Sequence, residues 1–410
     1  MIARLASVWT FTAAILLAQH RQEDAVRLAR IKNAIRLHLD GMPNFTCLQT
    51  VERYQRLPNS KREELIDVLR LEVAYVSNKE MYAWPGSTHF EDRELREIVS
   101  TGAFSTGGFA LHARAIFLGE GTAFTYMGEE TIDGKPAWRY DYATPQPRSG
   151  YQIRNPVKRV SATVPYHGSI WADRRNSDLI RISIFTGTIP DEIEIESASD
   201  QLDYQPMKIG TLDALLPRQS VINITDNKGF ASINRTRLSR CKQYSGESTI
   251  SFEDIAESGA VSRKVERAIQ LPPNLEISLA LDQDLIHGDS AVGDAIQATL
   301  RNDLRFNKEI IAPKGSIARG RITRLEHSTD TYSTYNVTFL FEELRGVDWI
   351  APLKLRFVRM DPPSIPPPDL GRRFNPNRLI LVPRIDPNGF LVFSNKLKLT
   401  RGFVTIWQTQ

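Results

Sequence analysis

Short runs of alternating apolar and polar residues, separated by turn residues, recur through most of this 410-residue chain. The clearest run is Leu275-Glu-Ile-Ser-Leu-Ala-Leu-Asp282, in which large apolar side chains occupy every second position. Because successive side chains of a strand point to opposite faces, such a run predicts a strand with one buried face. Turn signals between runs, such as Ser77-Asn78 and Asp133-Gly134, predict hairpins. The chain is therefore expected to be mainly β and largely antiparallel.

The first 250 residues are predicted to form one large antiparallel sheet with helices beside it. One helix is predicted over 23–39, where apolar residues recur every three or four positions, and shorter helices over 91–100 and 108–118. The predicted strands cover 45–54, 65–76, 79–84, 122–130, 136–143, 151–154, 162–172, 179–186, 199–209, 219–225 and 232–244. Strands at this spacing, with turns between them, are typical of a single sheet built from hairpins.

A break in the pattern divides the chain. Residues 253–267 carry charge, serine and glycine but no alternation, which predicts a linker over 251–270. The domains on either side would span 22–250 and 271–410. Further strands are predicted in the second domain at 275–282, 295–303, 317–325, 335–344, 350–358, 379–383 and 390–407. A proline-rich insertion at 361–368 is expected to be extended and irregular.

The amino terminus predicts export. Arg4 precedes an uncharged run over 5–18, and this arrangement is typical of a secretory signal peptide, here at 1–18. The run is shorter than the roughly 20 residues that a membrane-crossing helix needs. We therefore expect a periplasmic or cell-envelope protein, with membrane association only if the signal stays uncleaved as an anchor.

The sequence contains no recognisable catalytic, metal-binding or nucleic-acid-binding motif. The string nearest to Gly-x-Ser-x-Gly runs from Tyr166 to Ile170, lacks the second glycine, and would offer Ser169 with His167. Neither His-Glu-x-x-His nor Cys-x-x-Cys occurs, and the seven histidines are scattered. A formal net charge of +4 without a basic stripe argues against nucleic-acid binding. We expect no catalytic residues, no metal and no cofactor.

The two cysteines, Cys47 and Cys241, are a candidate disulfide, because paired cysteines in an exported chain usually bridge. The alternative is a pair of buried free thiols. Each cysteine lies in a predicted strand near one end of the first domain. These two edge segments would have to meet to close its sheet, which favours the bridge.

An apolar stripe on the predicted helix 108–118 is the candidate ligand-binding site. Phe109, Ala113, Ile116 and Phe117 recur at three- and four-residue spacing and must face the sheet or a guest molecule. Ordinary core packing is the alternative. The Ser105-Thr-Gly-Gly108 segment before the helix would let a lid move, which favours an acyl chain or a similar apolar group as guest.

The stretch Tyr166-His-Gly-Ser-Ile-Trp-Ala-Asp173, followed by Ser177-Asp-Leu-Ile-Arg-Ile182, resembles a strand-turn-strand unit of the lipoprotein-carrier half-barrel superfamily. The resemblance implies a curved antiparallel sheet whose apolar concave face is covered by a helical lid. The family includes carriers of lipidated proteins and sensors of periplasmic stress. No functional residue of the family can be transferred to this sequence.

A second resemblance lies in the segments Ala291-Val-Gly-Asp294, Ala295–Leu300, Ile310-Ile-Ala-Pro-Lys-Gly-Ser316 and Gly320-Arg-Ile322. Their order is similar to that in the β-barrel domain of the TrbI-type conjugation-channel component. The resemblance implies a small barrel, whereas the channel's membrane-crossing segment has no counterpart here.

Taken with these resemblances, the expected fold class is mainly β (α+β). It comprises a large curved antiparallel sheet with a helical lid, followed by a smaller β-barrel domain. The leading functional hypothesis is an exported, non-enzymatic envelope binding protein that holds an apolar or lipid-like group and contacts an envelope protein partner. A structural or assembly component of the envelope without a small ligand is the alternative, and an unrecognised hydrolase is the third. The ligand, the partner and the oligomeric state are not predicted.

Overall fold

The computed structural model describes residues 5–77, 79–87, 90, 111–155, 158–244, 267–329, 332–361, 380–383 and 388–410, with only the backbone for 5–21 and 380–383. Several predicted features lie outside the described residues. These are the helix 91–100, the segment 105–108, the beginning of the helix 108–118 with Phe109, nearly all of the linker, and the proline run after residue 361.

The described elements are two α-helices, two short 3-10 turns and 26 strands. The helices are α1 (Leu5–Asp40) and α2 (Leu111–Phe117), and the 3-10 turns are Gln146–Arg148 and Asp191–Ile193. The strands of the first unit are β1 (Phe45–Arg56), β2 (Glu63–Val76), β3 (Lys79–Ala83), β4 (Ala123–Ile132), β5 (Lys135–Thr144), β6 (Gln152–Asn155), β7 (Val160–Thr163), β8 (Tyr166–Asp173), β9 (Leu179–Thr186), β10 (Ile195–Ile209), β11 (Leu212–Asp226) and β12 (Ala231–Gln243).

The strands of the second unit follow the same chain order. They are β13 (Arg267–Ala268), β14 (Glu276–Leu281), β15 (Leu285–Ile286), β16 (Ala295–Leu300), β17 (Leu304–Phe306), β18 (Glu309–Ala312), β19 (Ile317–Ser328), β20 (Thr334–Arg345), β21 (Trp349–Pro352), β22 (Leu355–Asp361), β23 (Ile380–Pro383), β24 (Gly389–Phe393), β25 (Lys398–Leu399) and β26 (Val404–Thr409).

Ten strands of the first unit form one antiparallel sheet in the order β3-β2-β1-β12-β11-β10-β9-β8-β5-β4. Most neighbours are joined by hairpins, since alternating runs with short turns pair locally. The β8–β9 hairpin carries the motif that resembles the lipoprotein-carrier unit, and Ser177 in its turn has a φ of 66°. The long-range step is the pairing of β1 with β12, which joins the two ends of the unit.

The predicted disulfide between Cys47 and Cys241 is confirmed, with Cα atoms 4.1 Å apart. One step of the prediction was wrong, because the two cysteines do not lie on edge segments. They lie on β1 and β12, which are neighbours inside the sheet, whereas β3 and β4 form its edges. The register between β1 and β12 shifts between Thr46 and Leu48, at Cys47 itself. The bridge therefore fastens the junction between the ends of the unit.

The helix α1 packs along one face of this sheet, burying Ile31, Ile35 and Leu39 at four-residue intervals. It is longer than the predicted helix 23–39, because residues 5–22 contain no proline or glycine to break it. The helix ends at Gly41, whose N–H donates to the Leu37 carbonyl at 2.9 Å. Within the described residues, no helix is both long and apolar enough to cross a lipid bilayer.

The second unit is a smaller curved sheet in the order β13-β21-β20-β19-β16-β14-β26-β22. Two further strands branch from this sheet. Strand β24 pairs with β20, and β23 pairs with β24 and lies beside β22. The strands thereby curl around an aromatic core of Phe339, Phe341, Phe390 and Trp407, whose rings meet edge to face. The predicted fold class, a large curved sheet with a helical lid followed by a smaller barrel-like unit, is confirmed.

The two units join at a free edge of β2. The short strand β3 pairs only with Glu72–Val76, so among the described strands none pairs with the preceding part of β2 on that side. Val292 of the second unit fills the gap, because its N–H donates to the Val68 carbonyl at 2.8 Å and its carbonyl accepts from the Arg70 N–H at 2.9 Å. An exposed strand edge tends to pair with other chains, and this contact covers it.

Side chains fix the relative position of the units at the same edge. The guanidinium of Arg70 donates to Asp294 at 2.5 Å, and the His287 ring lies 2.9 Å from the Ile66 carbonyl. The His287 and His327 rings are tilted relative to each other with centroids 5.4 Å apart, and burial lowers the pKa of both imidazoles. The junction is thus a specific contact rather than a loose association.

Candidate functional site

The candidate site is the face of the first sheet on which α1 and α2 lie, called here the inner face. Near its β4 end this face is aromatic and apolar, with Tyr140, Tyr142, Ile170 and Ile182 buried. Charged side chains of α1 cover the rim, since the Arg27 guanidinium lies 4.3 Å from the Tyr126 ring centroid and the Lys32 ammonium 4.6 Å from that of Phe124. This half is closed by the helices.

The helix α2 carries three of the four residues predicted to bind a ligand. Ala113, Ile116 and Phe117 are 2%, 1% and 4% exposed, and the Phe117 ring stacks on Phe124 with centroids 5.8 Å apart. Phe109, the fourth, lies outside the described residues. The structure therefore brings the described part of the stripe together against the inner face, which suits both core packing and the cover of a binding site.

A buried polar cluster lies next to this stripe. Asp200 of β10 is only 3% exposed and one of its carboxylate oxygens, Oδ2, is 3.7 Å from the His112 Nε2 atom of α2. The Tyr204 hydroxyl lies on the same strand and face as Asp200. Three atoms of this cluster, Asp200 Oδ1, His112 Nε2 and Tyr204 Oη, are buried without a hydrogen-bond partner in the described structure.

Burial shifts the pKa values of this cluster towards neutral forms. Desolvation raises the pKa of Asp200 to about 7, although a hydrogen bond from the Gln201 N–H opposes the shift. Desolvation also lowers the pKa of His112 to about 4. Burial and the nearby Asp200 carboxylate raise the pKa of Tyr204. Near pH 7 the imidazole is therefore neutral, while Asp200 keeps a protonated fraction that an ordinary carboxyl would not have.

Sequence reasoning missed this cluster. The segment Ser199-Asp-Gln-Leu-Asp-Tyr204 was predicted to be a strand, but polar residues point to both of its faces. The sequence therefore does not show which face is buried. The register of β10 with β9 and β11 does, because it places Asp200 opposite Ile184 and Ile222. The available signal was the run of tyrosines at 140, 142, 151, 166 and 204 in neighbouring predicted strands.

A small cavity extends from Asp200 across the inner face. It has a volume of about 40 Å³ and is lined by Gln49, Tyr82, Asp200, Ser220 and Thr236, among other residues. The exposed residues Arg218 and Gln219 stand at its rim. Since a site needs about 10–15 Å³ of such space to hold one water molecule, the cavity in this state admits a small polar group. A larger guest requires the cover to shift.

Another buried ionisable pair on the inner face is fully satisfied. The guanidinium of Arg53 on β1 donates to both carboxylate oxygens of Asp67 on β2, and both side chains are almost completely buried. This fork-to-fork geometry compensates for desolvation. The contrast singles out Asp200, whose carboxylate lies on the same face without such a partner.

The hydrolytic candidates Ser169 and His167 are not arranged as a nucleophile and its base. The hydroxyl of Ser169 donates to Asp141 at 2.6 Å, and the ring of His167 stacks on Phe185 on the outer face of the sheet. A Ser-His pair would need a direct hydrogen bond between the two side chains. Among the described residues, no cluster of three potential metal ligands occurs.

Comparison with solved structures finds proteins similar to about half of the chain. One is a domain from Vibrio parahaemolyticus described as outer membrane lipoprotein-sorting, with 12% identity and a TM-score of 0.28, over 53% of this chain and 92% of that one. Another is a LolA superfamily protein from Nitrosomonas europaea, with 11% identity and a TM-score of 0.26, over 52% of this chain and 92% of that one.

A similarity to the Pseudomonas aeruginosa MucA/MucB complex covers 94% of this chain and 93% of the other, with 13% identity and a TM-score of 0.18. TM-scores this low carry no argument about function. No family model matches the sequence, and the search of curated proteins finds no relative. The resemblance of the second unit to the TrbI-type barrel stays a prediction.

Proposed function

We propose that this chain is an exported, non-enzymatic binding protein of the cell envelope, which holds an apolar or lipid-like group on the inner face of its first sheet. The observation that carries the proposal is the construction of this face. An aromatic and apolar surface lies under helices and borders a polar cluster with unsatisfied atoms and a small cavity. Ligand sites in proteins combine an apolar wall with a few placed polar groups in this way.

The apolar wall can supply enough free energy for binding. Burying a chain of about ten methylenes yields on the order of 8 kcal/mol before association costs. Because the inner face is filled beneath α2 in this state, part of that free energy is used to displace the helix. The described contacts that hold α2 to α1 are few, and one is the Arg114 guanidinium donating to the Leu39 carbonyl at 2.8 Å. A short helix held by such contacts is suited to move.

The envelope location and a protein partner belong to the same proposal. The envelope location rests on the signal peptide predicted at 1–18. The second unit is assigned the protein contact, because it forms a separate curved sheet joined to the first through the edge of β2.

A structural envelope component without a small ligand is the second candidate. The observation in its favour is that Ala113, Ile116 and Phe117 fill the space between α2 and the sheet as ordinary core residues do. In this case the helix would stay closed and its stripe would contribute only to stability.

Binding of a fluorescent fatty-acid analogue to the full chain separates the two candidates. The binding protein takes up the probe with saturation, and an unlabelled fatty acid displaces it. Phe117→Asp should abolish uptake, because a carboxylate on α2 would be desolvated against the acyl chain. Phe185→Asp is the matched control, since Phe185 is 46% exposed and lies on the outer face.

Two outcomes of this experiment would contradict binding on the inner face. No saturable uptake by the wild type leaves the structural component as the better account. Equal loss of uptake in both variants, with far-ultraviolet circular dichroism unchanged, places the probe somewhere other than the inner face. If Phe117→Asp fails to fold, the wild type and Phe185→Asp together still decide whether a site exists.

A further inference from the structure

Asp200 lines a cavity, and its Oδ1 atom is a buried acceptor with no hydrogen-bond partner among the described residues. A buried polar atom without a hydrogen bond costs about 1–3 kcal/mol, and more when it is charged. Such groups persist where a ligand, an ion or a water completes them. The residue is therefore marked as a point of contact for something absent from the protein itself.

The surroundings of Asp200 favour a positively charged donor. The His112 ring of α2 lies beside Asp200, and Tyr142, Tyr151 and Tyr204 are near enough that the charge of Asp200 adds to the effect of burial in raising the pKa of their hydroxyls. In the cavity itself Tyr82 and Asp200 are both part of the lining. A tyrosine ring together with an acidic side chain is a setting in which proteins recognise ammonium groups. An anion would meet the Asp200 carboxylate, and the one cation lining the cavity, Arg218, is at its exposed rim.

The polar lining of the cavity is consistent with this choice. Gln49, Ser220 and Thr236 offer oxygens that can accept hydrogen bonds from an ammonium group alongside Asp200. A volume of about 40 Å³ suits a small head group rather than a bulky one. The apolar stripe of α2 lies directly beside this polar end, through His112.

We propose that Asp200 anchors the ammonium group of an amphiphilic ligand, a primary amine whose apolar chain lies between α2 and the inner face. The inference deepens the proposed function and rests on it. Binding places a positive charge beside Asp200, so the carboxylate form is favoured and the proton that neutral Asp200 carries is released to solvent. The ammonium group keeps its own protons, and no covalent bond changes.

Isothermal titration of the full chain at pH 7 tests the proposal with three probes of equal chain length: dodecylamine, dodecanol and dodecanoate. Dodecylamine should bind at least about tenfold more tightly than dodecanol, the factor expected from one hydrogen bond to a charged group. Titration in buffers of different ionisation enthalpy should show release of a fraction of a proton per amine bound, because burial raises the pKa of Asp200 to about 7 and the bound cation favours the carboxylate form.

Asp200→Asn is the informative variant and Asp203→Asn its matched control. Asp203 lies on the same strand but on the opposite face, paired with Arg181. Asp200→Asn should remove both the amine preference and the proton release, while Asp203→Asn keeps both. An unchanged preference in Asp200→Asn overturns the proposal, as does equal affinity of the wild type for all three probes, which would indicate that only water occupies the position.

The outcomes also separate this inference from the proposed function. If the three probes bind with equal affinity, the apolar site exists and the amine anchor does not. If none of them binds, the apolar site itself is absent and both proposals fail.

Discussion

At the scale of single residues, Asp200 and the Cys47–Cys241 bridge show two ways in which one side chain affects the whole fold. Asp200 is buried without an ion-pair partner close enough for a hydrogen bond, so it weakens the folded state wherever it must be charged. The disulfide acts oppositely, because it fastens two neighbouring strands, β1 and β12, across 194 sequence positions. Both effects can be measured through the free energy of unfolding.

Asp200→Asn should flatten the dependence of stability on pH. The pKa of Asp200 is about 7 in the folded state and near 4 in an unfolded chain, so the folded form binds more protons between these values. The stabilisation from holding this proton is complete below about pH 4 and is lost as the pH rises through 7. At pH 8.5 the variant should therefore be more stable than the wild type by up to about 4 kcal/mol.

Chemical denaturation at pH 5 and pH 8.5 measures this difference. The advantage of Asp200→Asn should be larger at pH 8.5 than at pH 5, whereas Asp203→Asn should show no such increase. An advantage that stays the same at both values would mean that Asp200 is not held in its protonated form.

The disulfide should contribute substantially to stability. For a loop of this length, the chain-entropy treatment gives about 5 kcal/mol as an upper figure. Replacing both cysteines by serine should lower the free energy of unfolding by a large part of that amount, and the unfolded, unreduced protein should titrate no free thiol. Two reactive thiols per chain would show that the bridge does not form in solution.

At the scale of elements, period-two alternation predicted most strands because it is a local property of the chain. The helix was predicted to begin at residue 23, but α1 begins at Leu5. The two segments form one helix because no proline or glycine lies between the predicted signal peptide and the predicted helix. The pairing of β1 with β12 and the free edge of β2 depend on contacts between distant segments, which alternation does not encode. Of the candidate site, the apolar stripe of α2 was visible in the sequence and its role stays a prediction. Asp200 was missed because the sequence does not show the register that places it on the buried face.

The edge contact between β2 and the second unit depends on a glycine. A Cβ atom at Gly293 would lie 2.4 Å from the Arg70 carbonyl oxygen and 2.9 Å from the Trp84 ring, and the residue has a φ of 98°. Gly293→Ala should therefore lower the stability of the protein by about 2 kcal/mol or more, combining backbone strain with the steric clash. Urea denaturation measures the loss.

Gly402→Ala is the control, because Gly402 has a φ of 86° but no atom within 4 Å of the added methyl group. It should cost only the backbone strain, about 1 kcal/mol. Equal losses in the two variants would show that the close approach at the β2 edge does not hold in solution.

At the scale of the whole molecule, the two units are connected twice: by the segment around 253–267 and by the edge of β2. Linkers between domains carry few contacts, so limited proteolysis should cut first within 253–267. The two fragments should then remain together on size-exclusion chromatography, because the β2 contact does not need the linker. Early cuts within 122–244 would contradict the proposed boundary, and separation of the fragments would contradict a stable junction.

An apolar molecule held on the inner face of the first sheet should appear in a mass spectrum of the organic extract of natively purified full chain. We expect about one amphiphilic molecule per chain, recovered from the wild type and from Phe185→Asp but depleted in Phe117→Asp. An extract without any such molecule, from a preparation in which an added lipid standard is fully recovered, would contradict it.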